Sequence, residues 1–232
     1  MRYLPALLLI LLSQRCMAQD LGRRHTLIGQ AYEGERYGEV VALIGAQLRA
    51  SEGTTWVDST HLYLYKYARA VSKVKGTNDG LAAGERVLAL VQQRGRAQPL
   101  LAALFDLSWV YYEAGRLRDC VRLDSTALVV TDRDPAFTRA KRGQARQYLA
   151  FDYSILGEHR NSAKFARAAL EQYAQAAPGE VPAVQWAESY TAVGAAEWHL
   201  GRIREAEAQY HKALDALGKD TTEAALMRKA ST

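Results

Sequence analysis

The feature that most constrains this chain is a pattern that recurs three times along its second half. Each copy has a helix-forming run, a glycine, and a second helix-forming run that ends in Ala-Leu. The glycines Gly115, Gly157 and Gly201 are 42 and 44 residues apart. Self-similarity at a nearly fixed period of this size is the signature of a repeat architecture, in which each unit packs against its neighbours. The recurrence therefore predicts an array of stacked units.

The spacing inside a copy predicts what each unit is. In the third copy, Ile203, Ala206, Tyr210 and Ala213 follow one another at steps of three and four, which gives a helix one apolar face. Gly201 allows the chain to reverse, and small residues let two helices approach closely. Only 5 prolines occur and no long alternating strand pattern is present. We therefore predict an all-α fold, an α-solenoid of stacked antiparallel helical hairpins.

The third copy carries a specific family resemblance. Residues 194–214 resemble the tetratricopeptide repeat (TPR) consensus, with Gly194, Gly201, Ala206, Tyr210 and Ala213 in the places that the consensus gives to Gly, Gly, Ala, Tyr and Ala. The period of 42 to 44 resembles the kinesin-light-chain subtype and differs from the 34-residue form. The resemblance implies a right-handed TPR superhelix.

Some positions depart from that consensus. Glu197 stands where an aromatic residue is usual, and Ser108 and Ala150 replace the first glycine in the other two copies. Asp134 and Pro135 form a cap-and-first-turn pair, so a long helix is expected to run from near Pro135 to about Leu156.

We expect the repeats to fill residues 19–232. The strong repeats are placed at about 101–130, 143–172 and 187–217, and degenerate copies at about 24–50 and 63–92. The second degenerate copy has an insertion-like stretch, residues 76–80, where its turn is expected. A capping or truncated helix is predicted over residues 221–230, where Asp220, Thr221 and Glu223 belong to a sequence that resembles a capping box.

Residues 1–18 have the pattern of a secretory signal peptide. Arg2 precedes the apolar run from Leu4 to Leu12, and a short polar stretch then ends at Ala18. The apolar run is about half of the roughly 20 residues that a membrane-spanning helix needs, and no later segment approaches that length. Cleavage after Ala18 predicts a periplasmic or secreted protein without a membrane span in the mature chain. A lipid anchor at Cys16 is the alternative.

Charge gives no indication of a nucleic-acid partner. Removal of residues 1–18 takes away two arginines and no acidic residue, so the net charge falls from +5 to +3. The remaining charges of both signs are interleaved, whereas nucleic-acid binding would favour a concentrated basic stripe.

The sequence contains no recognisable catalytic, cofactor-binding or metal-binding motif. The five histidines are far apart along the chain and lack metal-ligand spacing, and no glycine-rich phosphate loop follows a strand. Cys120, the only cysteine left after cleavage, falls where the second helix of a hairpin takes a small buried residue. We predict a core thiol, no cofactor and no enzymatic activity.

The TPR resemblance also implies a binding groove. In this family the first helix of each hairpin lines the concave side, and by that analogy Phe105, Trp109, Tyr112, Phe151, Ile155 and Trp198 face the groove, together with Tyr67 in a degenerate copy. Tyr148 lies between groove positions on the same helical face. These aromatic residues are the predicted anchors for a protein or peptide partner.

Two functions follow from these observations. The first is an exported TPR scaffold that holds a peptide or protein in its concave groove. The alternative is the N-terminal sensory or regulatory arm of a larger exported or membrane-bound protein, such as a sensor kinase or a caspase-like protease.

Overall fold

The computed structural model describes residues 23–51 and 62–218. These residues form ten helices, and no strand occurs among them. The predicted all-α class is therefore confirmed. The predicted signal peptide, residues 1–18, and the predicted helix at 221–230 lie outside the described residues.

The helices divide between two compact units. The N-terminal unit extends to Gly95 and the C-terminal unit begins at Arg96. The N-terminal unit contains α1 (residues 23–33), α2 (Tyr37–Ser51), α3 (Leu64–Lys75) and α4 (Thr77–Gln93). The C-terminal unit contains α5 (Ala97–Glu113), α6 (Leu117–Arg133), α7 (Arg139–Ile155), α8 (His159–Ala174), α9 (Ala183–His199) and α10 (Ile203–Gly218). In the C-terminal unit, α5–α6, α7–α8 and α9–α10 pack as hairpins, and α6 contacts α7 as α8 contacts α9.

The three period-marking glycines make the turns inside these hairpins. Gly115, Gly157 and Gly201 have φ values of 72°, 74° and 77°, a left-handed conformation that glycine adopts without steric cost. In each turn the amide of the next residue bonds back across the helix end, as the Arg116 N–H does to the Tyr111 carbonyl at 2.9 Å. This pattern satisfies carbonyls that the helix leaves unpaired.

The turn between α1 and α2, in the first degenerate copy, has a residue other than glycine at the corresponding position. The Arg36 N–H bonds to the Ala31 carbonyl at 2.9 Å, so the turn has the same geometry. Glu35 occupies the left-handed position, with φ 55°, although Gly34 is its neighbour. A non-glycine residue there carries a modest steric strain.

Repeat positions 8 and 24, counted from Leu101, Gly143 and Ala187, hold the two helices of each hairpin together. In the last hairpin a Cβ on Gly194 would lie 2.9 Å from the Tyr210 ring, so the ring packs directly on the glycine. The middle hairpin has Ala150 and Ala166 at these positions, both fully buried. The first hairpin has Ser108 and Asp124, joined by a hydrogen bond of 2.9 Å. The helix crossing at these two repeat positions is therefore stabilised by a different kind of contact in each of the three hairpins.

Glu197, the residue that replaces a consensus aromatic, is buried and paired with two arginines. Its side chain is 3% exposed, and its two oxygens accept hydrogen bonds from Arg167 on α8 and from Arg202 in the turn before α10. A buried carboxylate is tolerated when it is paired and hydrogen-bonded in this way. The ion pairs thus connect α8 and α9 to the last turn.

Two expectations about helix boundaries were wrong. α6 continues to Arg133, and the Asp134 carboxylate accepts the Ala136 N–H at 2.9 Å in a tight turn instead of capping a helix. α7 begins at Arg139, with the Thr138 hydroxyl accepting the Lys141 N–H at 3.3 Å. A threonine four residues further along therefore supplies the cap.

The expected insertion at residues 76–80 is also absent. Gly76 alone connects α3 to α4, with φ 111°, and Gly80 lies inside α4. A Cβ on Gly80 would lie 2.5 Å from the Ala68 carbonyl oxygen of α3. Gly80 therefore allows close helix contact and belongs to no loop.

We predict that Gly143→Ala lowers the free energy of unfolding. The added Cβ would lie 2.1 Å from the Tyr173 ring, which is 2% exposed and hydrogen-bonded through its hydroxyl to Gln147. Overpacking costs about 1 to 3 kcal/mol, partly offset by about 1 kcal/mol of helix propensity.

Gly29→Ala is the control, because Gly29 lies in α1 and has no atom in the way of a Cβ. This variant should gain up to about 1 kcal/mol in the free energy of unfolding. Urea unfolding followed by circular dichroism measures both, and a gain for Gly143→Ala would contradict the packing.

Candidate functional site

The candidate site lies on α5 and α7 of the C-terminal unit, each of which is the first helix of its hairpin. Phe105, Trp109 and Tyr112 are spaced by four and three residues, so they share one face of α5. The opposite side of α5 carries Leu104 and Leu107, both at most 1% exposed. Since those residues already fill the hairpin core, the aromatic side chains lie outside it.

Ring contacts join the aromatic residues of α5 to aromatic residues of α7. The Phe105 and Tyr148 rings meet edge to face with centroids 4.5 Å apart. Tyr112 lies between Trp109, at 5.0 Å, and Phe151, at 5.5 Å. Such contacts contribute roughly 0.5 to 1.5 kcal/mol each beyond the area they bury. We call these five residues, Phe105, Trp109, Tyr112, Tyr148 and Phe151, the aromatic face.

Exposure differs across the aromatic face. Trp109 is 48% exposed and Phe151 is 41% exposed, and Ile155 continues this surface along α7 at 40%. Phe105, Tyr112 and Tyr148 are half-buried. Two large side chains are thus presented to solvent and held in place by less exposed rings.

The other two predicted anchors lie elsewhere. Trp198 is 55% exposed at the end of α9, and no ring contact of the described residues joins it to the aromatic face. Tyr67 belongs to α3 in the N-terminal unit, where it packs half-buried beside a core that includes Ile28 and Ile44. The structure therefore brings five of the seven predicted residues together.

Tyr148 has the most polar surroundings of the aromatic face. Its hydroxyl accepts a hydrogen bond from the Gln144 amide at 3.3 Å. Burial raises the pKa of Tyr148, and the charges of Asp124, Glu188 and Asp106 raise it further. Tyr148 is therefore a neutral side chain, and the charges felt at this point of the face are acidic.

A buried pair of carboxyl groups behind the aromatic face was not predicted from the sequence. Asp124 on α6 is 2% exposed and Asp152 on α7 is 3% exposed, and their carboxyl groups lie within hydrogen-bonding reach of each other. The Ser108 hydroxyl donates to Asp124 Oδ2 at 2.9 Å. Asp124 Oδ1 and Asp152 Oδ2 have no hydrogen-bond partner among the described residues. A proton held between the two carboxyl groups would give them one.

Burial changes the acidity of this pair. Burial raises the pKa of Asp152 to about 7, and burial together with the neighbouring Asp152 charge raises the pKa of Asp124 well above its ordinary range. The two protons belong to the pair as a unit, because the groups interact strongly. The only sequence signal was that Asp124 occupies a position that holds Ala166 or Tyr210 in the other copies.

Cys120 lies beside this pair as a core thiol, as predicted. It is fully buried, and its Sγ–H donates to the Ser108 carbonyl at 3.3 Å. Burial, with added contributions from Asp152 and Asp124, raises the pKa of the Cys120 thiol to about 12. A protonated thiol without solvent access is a poor nucleophile.

The histidines, distant in sequence, are not all distant in space. The His159 and His199 rings stack in parallel with centroids 3.9 Å apart. In the described ranges, no group of three or more His, Cys, Asp or Glu residues is arranged to hold a metal ion.

A second aromatic surface lies on the last hairpin. An open cleft of about 400 Å³ is bordered by Trp186 and Tyr190 on α9 and by Lys212 on α10, and the Lys212 ammonium lies 5.9 Å from the Tyr190 ring centroid. No pattern in the sequence indicated this cleft.

Solved structures identify the fold. BtubC (BKLC) from P. vanneervenii has a TM-score of 0.70 at 12% identity, over 84% of this chain and 79% of that chain. A Podosopora anserina putative kinesin light chain with nearly identical TPR-like repeats has a TM-score of 0.65 at 17% identity, over 88% of this chain and 98% of that chain. The fold is that of TPR proteins. The TPR resemblance and the α-solenoid class predicted from the sequence are thus confirmed.

A third similar structure is a complex with a peptide and DNA. Bacillus thuringiensis PlcR, in complex with the peptide PapR7 and DNA, has a TM-score of 0.60 at 15% identity, over 92% of this chain and 74% of that chain. No family model and no curated protein matches the sequence.

Among the helices of residues 23–51 and 62–218, none combines the length and the apolar character that crossing a bilayer requires.

We predict that Trp109→Ala changes stability little, whereas Leu107→Ala two residues earlier unfolds the protein readily. Trp109 loses mainly its contact with Tyr112, about 1 kcal/mol. Leu107 is fully buried, and its truncation should cost about 2 to 5 kcal/mol. Chemical unfolding of the two variants tests this, and equal losses would show that the tryptophan belongs to the core.

Proposed function

We propose that this chain is an exported TPR scaffold that binds an extended peptide or a partner helix on its aromatic face. The observation that carries the proposal is the exposure of Trp109 and Phe151 together with the ring contacts that fix them. Large aromatic side chains dominate binding energy at interfaces, and rigid ones lose little entropy on binding.

The surroundings of these two rings favour a peptide over a small molecule. Phe105 and Tyr148 extend the surface along α5 and α7, and Ile155 adds an aliphatic contact at its end. The result is a row of apolar contacts across two repeats, which suits several residues of a partner. Exposed apolar patches of this kind commonly mark protein interaction sites.

The fold supports a binding role in general terms. TPR-type structures similar to this one include PlcR, which was solved with a peptide. By analogy, we propose a protein or peptide ligand here, bound without catalysis. The buried, protonated Cys120 is consistent with this role, because it offers no accessible nucleophile.

The binding proposal has a direct test. Linear peptides selected from a displayed random library on residues 19–232 provide a probe, and fluorescence anisotropy measures their affinity. We expect Trp109→Ala and Phe151→Ala each to weaken binding by about 2 kcal/mol or more, roughly thirtyfold, because each removes an anchor.

Val129→Ala is the matched control. Val129 is an exposed apolar residue, 46% exposed, on α6 of the same hairpin as Trp109. Its truncation should leave affinity unchanged. Equal affinity in the two aromatic variants and the wild type would rule out the aromatic face as the binding site.

Export is the second part of the proposal. It rests on Arg2, the apolar run from Leu4 to Leu12 and the small residue Ala18. We expect a mature chain that begins at Gln19 outside the cytoplasm. N-terminal sequencing of the protein from cell fractions tests this, and a cytoplasmic chain that still contains residues 4–12 would contradict it.

A further inference from the structure

The carboxyl pair lies at the joint between two repeats. Asp124 belongs to α6, the second helix of one hairpin, and Asp152 belongs to α7, the first helix of the next. Ser108 on α5 hydrogen-bonds to Asp124 and completes the cluster. This polar cluster thus links three helices in the interior, where electrostatic interactions are stronger than in water.

The same three helices position the aromatic face. Ser108 directly precedes Trp109 in the sequence, and Asp152 directly follows Phe151. The ring contacts Phe105–Tyr148 and Tyr112–Phe151 cross from α5 to α7, so they depend on how these helices are held together. A change in repulsion at the buried pair therefore acts on the spacing of the two anchors.

The described residues place no cation beside the pair. Among the described residues, neither carboxyl group accepts a hydrogen bond from Lys, Arg or His, and no positive charge lowers either pKa. The ionisable groups around it are Cys120 on α6 and Tyr148 on α7, with the carboxylates of Asp106 on α5 and Glu188 on α9 acting on Tyr148. α8 packs against α7 here through Ala166, which is not ionisable. An ionised pair would therefore leave a buried negative charge that only its own shared proton and Ser108 stabilise.

The direction of the pH effect follows from the raised pKa values of the two carboxyl groups. Each folded-state pKa lies above the ordinary carboxyl value of 3.8, and that of Asp152 is about 7. The folded protein therefore retains protons that the unfolded chain has already released. The pair's contribution to stability is complete below about pH 4 and is lost as the pH rises through about 7.

We propose that protonation of the Asp124–Asp152 pair regulates the aromatic face, so that the protein binds its peptide more tightly at mildly acidic than at alkaline pH. This inference rests on the proposed peptide-binding function. Protonation closes the α6–α7 joint and fixes the anchors, and ionisation loosens the joint and misaligns them. Two-site couplings of this kind commonly amount to 5-fold or more in affinity.

The first experiment needs no peptide. The melting temperature of wild-type protein, Asp124→Asn and Asp132→Asn is measured from about pH 5 to about pH 9, a range that brackets the pKa of about 7. We expect the wild type to lose stability with rising pH and Asp124→Asn to lose less, because its amide donates to Asp152 and leaves one titrating group. Asp132 is an exposed carboxylate paired with Arg146, so Asp132→Asn should keep the wild-type slope. Identical slopes for all three proteins would overturn the inference.

The second experiment uses a selected peptide that has no ionisable side chains. Its affinity for the wild type should fall by about fivefold or more across the same pH range, and by clearly less for Asp124→Asn. Binding that is equally tight at every pH overturns the regulation and leaves the proposed function intact. If the affinity of the selected peptide is the same for Trp109→Ala and Phe151→Ala as for the wild type, the proposed function is overturned and the regulation with it.

A measurement on the wild type covers the case in which Asp124→Asn does not fold. The infrared carbonyl band of a protonated carboxyl group should be present at neutral pH, and its intensity should decrease as the pH rises. Its absence at neutral pH would overturn the inference, because ordinary carboxyl groups are ionised there.

Discussion

The close crossing of the two helices in each hairpin is the constraint on which the rest of this structure depends. A hairpin buries only the faces that its helices turn towards each other, and its remaining apolar surface needs a neighbouring repeat. The crossing is fixed at repeat positions 8 and 24. In the last hairpin the Tyr210 ring packs on Gly194, and in the first hairpin of the C-terminal unit Ser108 hydrogen-bonds to Asp124. The aromatic face exists because the inner side of α5 is already filled.

The three solutions at this crossing have different consequences. The ring–glycine contact and the Ala150–Ala166 contact are apolar and insensitive to pH. The Ser108–Asp124 contact places a carboxyl group in the interior, and Asp152 from the next repeat lies beside it. Replacement of an apolar contact by a polar one at one crossing thus introduces an ionisable joint between two repeats, directly behind the residues proposed to bind a partner.

Features that depend on local sequence pattern, such as turn conformation and helix faces, were predicted correctly. Features that depend on contacts between helices were not. The glycine period and the spacing of Ala206 and Tyr210 were sufficient for the fold, because turn conformation and helix faces are local properties. Asp134 was misassigned, since an aspartate before a proline suits a turn and a helix cap equally well. The Asp124–Asp152 pair and the His159–His199 stack unite residues 28 and 40 positions apart, and no pattern within one helix indicates them. Tyr67 and Trp198 were grouped with the aromatic face by repeat position alone, which does not decide ring contact.

Cys120 gives the molecule a built-in reporter of its own fluctuations. It is the only cysteine in residues 19–232, it is fully buried between α5 and α6, and its thiol is held protonated. A thiol reagent can reach it only when that hairpin separates. The labelling rate in native buffer therefore equals the opening rate when reclosing is slow, and equals the population of the open state multiplied by the intrinsic labelling rate when reclosing is fast. The opening free energy of a single repeat is therefore accessible in residues 19–232, without a label introduced by mutation.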